Sequence, residues 1–205
     1  MNEESFIAEK APVDWYAMRE RLRNNEAGAW REAFSDYFET PLTLRYLAPI
    51  KVLEDTGPLQ GTGFAIVSIL CCLIEFLEST AQGTNYRYLK LGETLQAHEY
   101  AESQHLIVEF LQIREPFSAT FDATSAQDFY VAVRCGLLHE ARTTNGWRIL
   151  EDGPNGIIAE VANRILYRNN FQEALLEYIK VYGKTLEGDQ ELQQGFIRKF
   201  DHLCV

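Results

Sequence analysis

An arginine and a histidine stand five positions apart in the stretch from Phe129 to Ile149, which reads FYVAVRCGLLHEARTTNGWRI. The guanidinium of Arg134 carries a permanent positive charge, and its planar set of donors matches the oxygens of a phosphate group. Histidine is the side chain whose ionisation falls near neutral pH, so His139 is suited to proton transfer. The pair therefore has the chemistry needed at a phosphodiester.

Cleavage of RNA without a metal needs a group that removes the 2′-hydroxyl proton, a group that protonates the leaving 5′-oxygen, and a cation that stabilises the phosphate. His139 supplies one proton-transfer group and Arg134 the cation. A two-fold dimer would bring a second His139 and a second Arg134 into the same cleft and so supply the missing group. The residues alone also fit a structural role, in which Arg134 forms an ion pair and His139 interacts with the negative end of a helix.

The element that must position this pair is a helix, which we call the motif helix. Ser125 followed by Asp128 resembles a capping box, so the helix is predicted to begin near Ala126. Phe129, Val133 and Leu137 recur at helical spacing and predict an apolar stripe that faces a core. At 100° per residue, His139 lies about 140° round the helix from Arg134. The two residues therefore bound a broad face away from that stripe.

Arg-x4-His late in a bundle helix resembles the signature of HEPN domains, in which an Arg is followed after four to six residues by a His. The longer string VRCGLLHEARTTNGWRI is most similar to a HEPN subfamily associated with plasmids and other mobile elements. The resemblance implies a helical homodimer with a composite site that cuts RNA between the subunits, with Arg134 and His139 as catalytic residues and no cofactor. It also implies a role as a toxin or in defence, in which case an antitoxin protein is a further partner.

Four neighbours of the pair are candidate substrate-binding residues. Tyr130, one turn before Arg134, can stack on a base or hold the guanidinium, although an aromatic side chain at that spacing also fits core packing. Arg142 and Arg148 can extend the cationic region toward a longer substrate, or can simply be solvated. Cys135 follows the Arg where many HEPN sequences have Asn, Asp or His, and its thiol is a weak hydrogen-bonding group. This departure leaves open a non-catalytic HEPN module that binds RNA, a nucleotide or a protein partner.

Two carboxylates on another helix are also candidates for orienting the arginine. Glu75 and Glu78 follow the most apolar segment of the chain, and either can reach Arg134 from a neighbouring helix. Ordinary solvation at a helix edge is the alternative for both.

The charge of the chain limits the kind of nucleic acid it can bind. The formal net charge is −11, from 19 Lys and Arg against 30 Asp and Glu, which argues against a broad basic surface. From Phe129 to Ile149 the balance reverses, because Arg134, Arg142 and Arg148 stand against the single acid Glu140. An acidic protein with one cationic region therefore fits a small anionic target better than a long duplex, and the HEPN resemblance makes single-stranded RNA the expected partner.

Cysteine usage and the apolar segments predict a cytoplasmic location. The four cysteines, at positions 71, 72, 135 and 204, show no C-x-x-C spacing, which fits a reducing compartment and gives no structural zinc site. The N-terminus lacks the basic start and apolar run of a signal peptide. The longest apolar run, Phe64 to Ile74, is shorter than the ~20 residues that cross a bilayer. No membrane association is expected.

The pattern along the chain predicts a mainly α fold: an up-and-down helical bundle of HEPN-like type with a small β-hairpin after the motif helix. Residues 1–13 are expected to form a flexible tail, and residues 14–205 a single domain. Asn145-Gly146 favours a type I′ turn, so the hairpin is expected at about residues 142–160.

A third class of function comes from a different set of residues. Glu93 to Ile113 shows helical periodicity, and on such a helix His98, Glu102 and His105 would share one face. His and carboxylate ligands on one helical face can form half of a bundle metal site. No second Glu-x-x-His pair completes that site, so no metal is assigned, and a metal-dependent enzyme remains the distant alternative.

Overall fold

The computed structural model describes residues 10–56 and 61–204. These residues are mainly helical, as predicted. The helices are α1 (Pro12–Arg23), α2 (residues 29–55), α3 (Thr62–Gln82), α4 (Gln104–Ile113), α5 (residues 123–140), α6 (Arg168–Leu186) and α7 (Gln190–Leu203). The strands are short: β1 (Asn85–Tyr86), β2 (Glu99–Tyr100), β3 (Arg148–Leu150), β4 (Ala159–Glu160) and β5 (Ile165–Tyr167). Of the expected tail, residues 1–9 lie outside the described part, and α1 already begins at Pro12.

The described residues divide into two compact units. The first contains residues 10–45, 79–101 and 181–204, and the second contains residues 46–56, 61–78 and 102–180. Helices α2, α3 and α6 each contribute residues to both units. The motif helix is α5, and it lies wholly in the second unit.

Helix α2 continues through two prolines because its turns widen before each of them. A proline lacks the N–H of a regular helix, and its ring collides with the carbonyl one turn earlier. The π-helical segment Phe34–Glu39 precedes Pro41, and a second π-helical segment, Thr43–Leu47, precedes Pro49. These wider turns change the spacing of the backbone hydrogen bonds, so the helix accommodates both rings without ending.

The first unit is built on an aromatic core. The ring of Trp15 in α1 lies 5.0 Å from that of Tyr37 and 5.6 Å from that of Phe200, and the rings of Phe196 and Phe200 in α7 lie 4.4 Å apart. All four side chains are buried. The indole N–H of Trp15 donates to Asp201 Oδ1 at 2.8 Å. Large buried rings supply most of the apolar area in such a core.

Helix α3 ends against α7 at a point where only glycine fits. Gly83 has φ +65°, and a Cβ there would lie 2.5 Å from Gly195 Cα. Arg198 donates to the carbonyl oxygens of Gln82 and Gly83 at 3.0 and 3.4 Å, which satisfies acceptors at the helix end. The buried Lys199 donates to Ser79 Oγ and to the Thr84 carbonyl oxygen, both at 2.9 Å. The C-terminus of α3 is therefore fixed by close backbone packing and by two cations.

The second unit has its own aromatic core, which reaches the motif helix. The rings of Phe110 and Phe117 lie 5.1 Å apart, and Phe117 meets Phe171 edge-on at 5.4 Å. Phe171 in turn lies 5.6 Å from Phe129 of the motif helix, which also meets Trp147 at 5.9 Å and Phe121 at 5.6 Å. Phe129 is thus held on two sides by rings from later parts of the chain.

A small three-stranded sheet follows the motif helix, in place of a hairpin centred on the Asn-Gly pair. Asn145 and Gly146 both have positive φ, at 51° and 81°, and Trp147 N–H donates to the Thr144 carbonyl oxygen, so the predicted turn is present. The strand that follows it, β3, pairs with β5 in parallel, and β4 pairs with β5 antiparallel. Residues 141–144, which lead from the motif helix into the turn, form no strand.

Among the helices that the structure describes, α3 alone is long and apolar enough to cross a membrane by length and composition. Of its most apolar window, 61% is buried inside the protein. Such burial is typical of the core helix of a soluble protein.

The close approach of Gly83 to Gly195 is testable with a second glycine as control. Gly83→Ala combines a left-handed backbone, which costs ~1–2 kcal/mol, with a backbone collision, which costs a further ~1–3 kcal/mol. Gly92 also has positive φ, at 86°, but nothing lies within 4 Å of its Cβ position. Gly92→Ala should therefore lose only the part of the stability that comes from the left-handed backbone. Urea unfolding of both variants measures the difference, and equal losses would contradict the contact.

Candidate functional site

The motif helix begins three residues earlier than predicted because a different pair caps it. Asp122 is the N-cap and accepts from Ser125 N–H at 2.8 Å, while Ser125 Oγ accepts from Asp122 N–H at 2.8 Å. The Ser125 hydroxyl also donates to Asp122 Oδ1 at 2.7 Å, and the hydroxyl and backbone donors of Ser125 hold the pKa of the Asp122 carboxyl below its usual value. The predicted cap, Ser125 with Asp128, was wrong, because Ser125 already belongs to the first turn of a helix that starts at Ala123.

The middle of the motif helix is a π-helical segment, Tyr130–Cys135, and the chain folds back onto it. Thr144 N–H donates to the Ala132 carbonyl oxygen at 2.8 Å. Gly136, just after the segment, has no room for a side chain, since a Cβ there would lie 2.6 Å from the Arg142 carbonyl oxygen. The returning loop is therefore packed directly against the widened turn, a type of turn that often occurs at functional sites.

Arg134 projects from this π-helical segment and is restrained by two neighbours. Its side chain is 20% exposed, and its guanidinium carbon lies 5.6 Å from the centre of the Tyr130 ring. A terminal nitrogen of Arg134 lies 3.7 Å from Glu75 Oε2 of α3. Glu75 therefore meets the expectation of a carboxylate on a neighbouring helix. Glu78 does not, because its oxygens accept from Arg114 at 2.9 Å each.

Polar groups and thiols surround the arginine. The Tyr130 hydroxyl interacts with Ser103 and with the thiol of Cys135, and burial is the main cause that raises the pKa of Tyr130. Burial also raises the pKa of the Cys72 thiol, while the nearby Arg134 charge acts in the opposite direction. Both shifts favour the neutral forms of Tyr130 and Cys72, which lie beside the ion pair of Arg134 and Glu75.

His139 is exposed to solvent in the last turn of the motif helix. Its side chain makes no hydrogen bond or ion pair with residues 10–56 or 61–204. His139 stands five positions after Arg134, a rise of ~7 Å along the helix axis. Leu138 is 61% exposed and Val131 is 46% exposed. They stand seven positions apart, and so the solvent face of the helix carries two apolar side chains.

The two remaining predicted arginines lie farther along the chain. Arg142 is exposed just beyond the end of the motif helix, and its backbone N–H donates to the Gly136 carbonyl oxygen at 3.3 Å. Arg148 is exposed in β3. The pKa of Glu160 is held down mainly by hydrogen bonds from Tyr167 and Asn163, and also by the charge of Arg148. In the described part of the chain, neither Arg142 nor Arg148 forms an ion pair with Glu75, the carboxylate beside Arg134.

Sequence reasoning missed the residues that hold the turn after the motif helix. The indole N–H of the buried Trp147 donates to Asp128 Oδ2 at 2.8 Å, and Arg164 Nε lies 3.7 Å from the same oxygen. Asp128 also accepts from Asn145 Nδ2 at 3.4 Å. Asp128 was interpreted as part of the cap, but it anchors the Asn145-Gly146 turn instead. The proximity of a tryptophan to the Asn-Gly pair was the available signal.

The alternative metal site is not formed by one helical face. His98 lies in a turn with φ +64°, before β2, whereas His105 lies in α4, which begins only at Gln104. The helix predicted from Glu93 was therefore wrong over its first half. Within the described ranges, no three His, Cys, Asp or Glu side chains are grouped so as to hold a metal ion.

No family model matches the chain, and neither the curated proteins nor the solved structures include a significant match. The arrangement of the motif helix and its neighbours is therefore the basis for the function.

The cap of the motif helix predicts a pH dependence. Because the folded-state pKa of Asp122 is depressed, its contribution to stability is present above the usual value of 3.8 and is lost as pH falls through the folded value. Asp122→Asn keeps an acceptor and removes the charge, so its stability deficit should be present at pH 7 and vanish in acid. Asp122→Ala also loses the acceptor and should remain destabilised at both. Urea unfolding at the two pH values measures this, and a pH-independent Asn deficit would contradict it.

Proposed function

We propose that this protein is a metal-independent endoribonuclease of HEPN type that acts as a homodimer, with Arg134 and His139 as its catalytic residues. The observation that carries the proposal is that a half-buried arginine and a solvent-exposed histidine stand five positions apart on one helix. Arg134, the cation, is restrained by its neighbours, whereas His139, the proton-transfer group, is exposed and can contact a ligand. The resemblance of VRCGLLHEARTTNGWRI to HEPN sequences supports the same reaction.

In this reaction His139 removes the proton from a ribose 2′-hydroxyl, and that oxygen attacks the adjacent phosphorus. A bond forms between O2′ and phosphorus while the bond from phosphorus to O5′ breaks, which leaves a 2′,3′-cyclic phosphate and a 5′-hydroxyl end. The protonated His139 of the partner subunit donates the proton that O5′ needs. Arg134 stabilises the negative charge that builds on the phosphate oxygens, through donors that match their geometry.

The homodimer is needed because each chain contributes one histidine to the motif. The exposed side chains of Val131 and Leu138 lie on the motif helix that carries His139 and provide an apolar face that a second copy can cover. A two-fold axis beside this face would bring two copies of Arg134 and His139 together.

Single-stranded RNA is the proposed substrate. The net charge of −11 repels a long polyanion, so binding should be confined to the cationic region of the motif. Tyr130 and Cys135 line that region beside Arg134, and Arg142 and Arg148 can extend it along the strand. A cytoplasmic location, a role as a toxin or in defence, and an antitoxin partner belong to the proposal on the strength of the resemblance.

A non-catalytic HEPN module that binds RNA, a nucleotide or a protein partner is the second candidate. Cys135 favours it, because its thiol interacts with Tyr130 at the position where many HEPN sequences have a stronger polar group.

The nuclease proposal predicts that the purified protein cuts single-stranded RNA in EDTA and that His139→Ala lowers the rate by about 10²–10⁴-fold. Because His139 is exposed, its removal should leave the melting temperature unchanged. His202, an exposed histidine in α7, is the matched control, and His202→Ala should cut at the wild-type rate. If the wild type and His139→Ala leave a broad RNA panel equally intact, the binding module replaces the nuclease.

The dimer predicts a second pair of variants. Leu138 and Leu44 are each 61% exposed in the isolated chain. An aspartate at either position costs little stability in a monomer, but at position 138 it places a charge in the proposed interface. Light scattering should show Leu138→Asp as a monomer that does not cut RNA, and Leu44→Asp as an active dimer. A wild type that is strictly monomeric at micromolar concentration would refute the composite site.

A further inference from the structure

The geometry points to Glu75 as a positioning residue that fixes the direction of the Arg134 guanidinium. This inference rests on the proposed function, since it assigns Arg134 the role of binding phosphate. It adds a residue from α3, outside the motif, to the site. The contact that supports it is the 3.7 Å separation between the terminal nitrogen of Arg134 and Glu75 Oε2.

Two ion pairs that involve the same face of α3 show how differently a carboxylate can hold an arginine. Glu78 is fully buried and accepts two hydrogen bonds of 2.9 Å from Arg114, a bidentate pair that occupies both carboxylate oxygens. Glu75 is 23% exposed, and its distance to Arg134 is beyond hydrogen-bonding range. The first pair is structural. The second attracts the guanidinium without using its donors.

That difference matters for a phosphate-binding arginine. Within the described ranges, the Arg134 guanidinium donates no side-chain hydrogen bond, so its donors remain available for phosphate oxygens. The Tyr130 ring, 5.6 Å away, restricts the guanidinium on one side, and the carboxylate of Glu75 sets the direction of its charged end. A carboxylate at this distance also opposes an incoming phosphate. Glu75 therefore improves the orientation of the guanidinium and weakens its affinity for phosphate.

A lower kcat without a higher KM is the signature of this role. Glu75→Gln keeps the size of the side chain and removes its charge. We expect kcat to fall about tenfold, because a misdirected cation stabilises the transition state poorly, while KM stays equal or falls. A purely structural residue would instead lower the melting temperature, and a competitor for Arg134 would raise kcat when removed. Either result would overturn the inference.

Two control variants separate effects of net charge and of folding stability from an effect on the orientation of the arginine. Glu177 in α6 is an exposed carboxylate of the same unit, so Glu177→Gln makes the same charge change and should leave kcat unaltered. Glu78→Gln breaks the bidentate pair on α3 and should lower the melting temperature more than Glu75→Gln does. If Glu177→Gln lowers kcat as much as Glu75→Gln, the effect belongs to net charge and the inference fails.

A double-mutant cycle with Arg134→Lys tests whether Glu75 acts through the arginine. In that background Glu75→Gln should change kcat by less than about twofold. The same cycle, read as binding of a fluorescent 2′-O-methyl RNA oligomer that cannot be cut, applies even if the wild type cleaves nothing. Coupled binding without cleavage would remove the nuclease and keep the positioning role. Cleavage with a wild-type kcat in Glu75→Gln would keep the nuclease and remove the positioning role.

Discussion

A half-buried guanidinium is the feature that the rest of the site depends on. Removing most of the Arg134 side chain from water is unfavourable unless nearby groups interact with its charge. The Tyr130 ring and the Glu75 carboxylate provide that interaction without a full set of hydrogen bonds. The arginine is therefore held in place while its hydrogen-bond donors stay available. It differs in this from Arg114, whose donors are engaged by both carboxylate oxygens of its partner.

The backbone around Arg134 also helps to hold this side chain in place. The π-helical segment widens the motif helix where the arginine projects, and the loop after His139 returns to bond with the Ala132 carbonyl. Gly136 allows this return, because any Cβ would collide with the loop. Asp128 and Trp147 then fix the turn that leads into the small sheet. The end that carries His139 is thus exposed, while the turn before it is packed on several sides.

Local patterns in the sequence were enough to predict the motif helix and its apolar stripe. Phe129 and Val133 are fully buried and Leu137 is half-buried, because periodic apolar side chains report which face of a helix meets a core. The Asn145-Gly146 turn was predicted for an equally local reason, since both positions need positive φ. The ion pair of Arg134 with Glu75 was only one of the possibilities, because the sequence did not distinguish Glu75 from Glu78 or from simple solvation.

Features that depend on distant parts of the chain were not predictable in this way. The partner of β3 is β5, which lies beyond β4 in sequence, so a turn signal could not identify the pairing. The cap at Asp122 uses a pair of the same spacing as the Ser125-Asp128 pair three residues later, so composition alone could not decide between them. His98 sits on no helix because the chain turns with positive φ there, which overrides helical periodicity.

The most direct test of the central claim is an NMR titration of the wild-type protein with a short 2′-O-methyl RNA oligomer, observing the Arg134 Nε–H and the His139 ring. If both side chains bind one phosphate, both signals should move together and saturate at the same RNA concentration. RNA that binds while these two signals stay fixed, or an oligomer that produces no shift anywhere in the protein, would contradict the account.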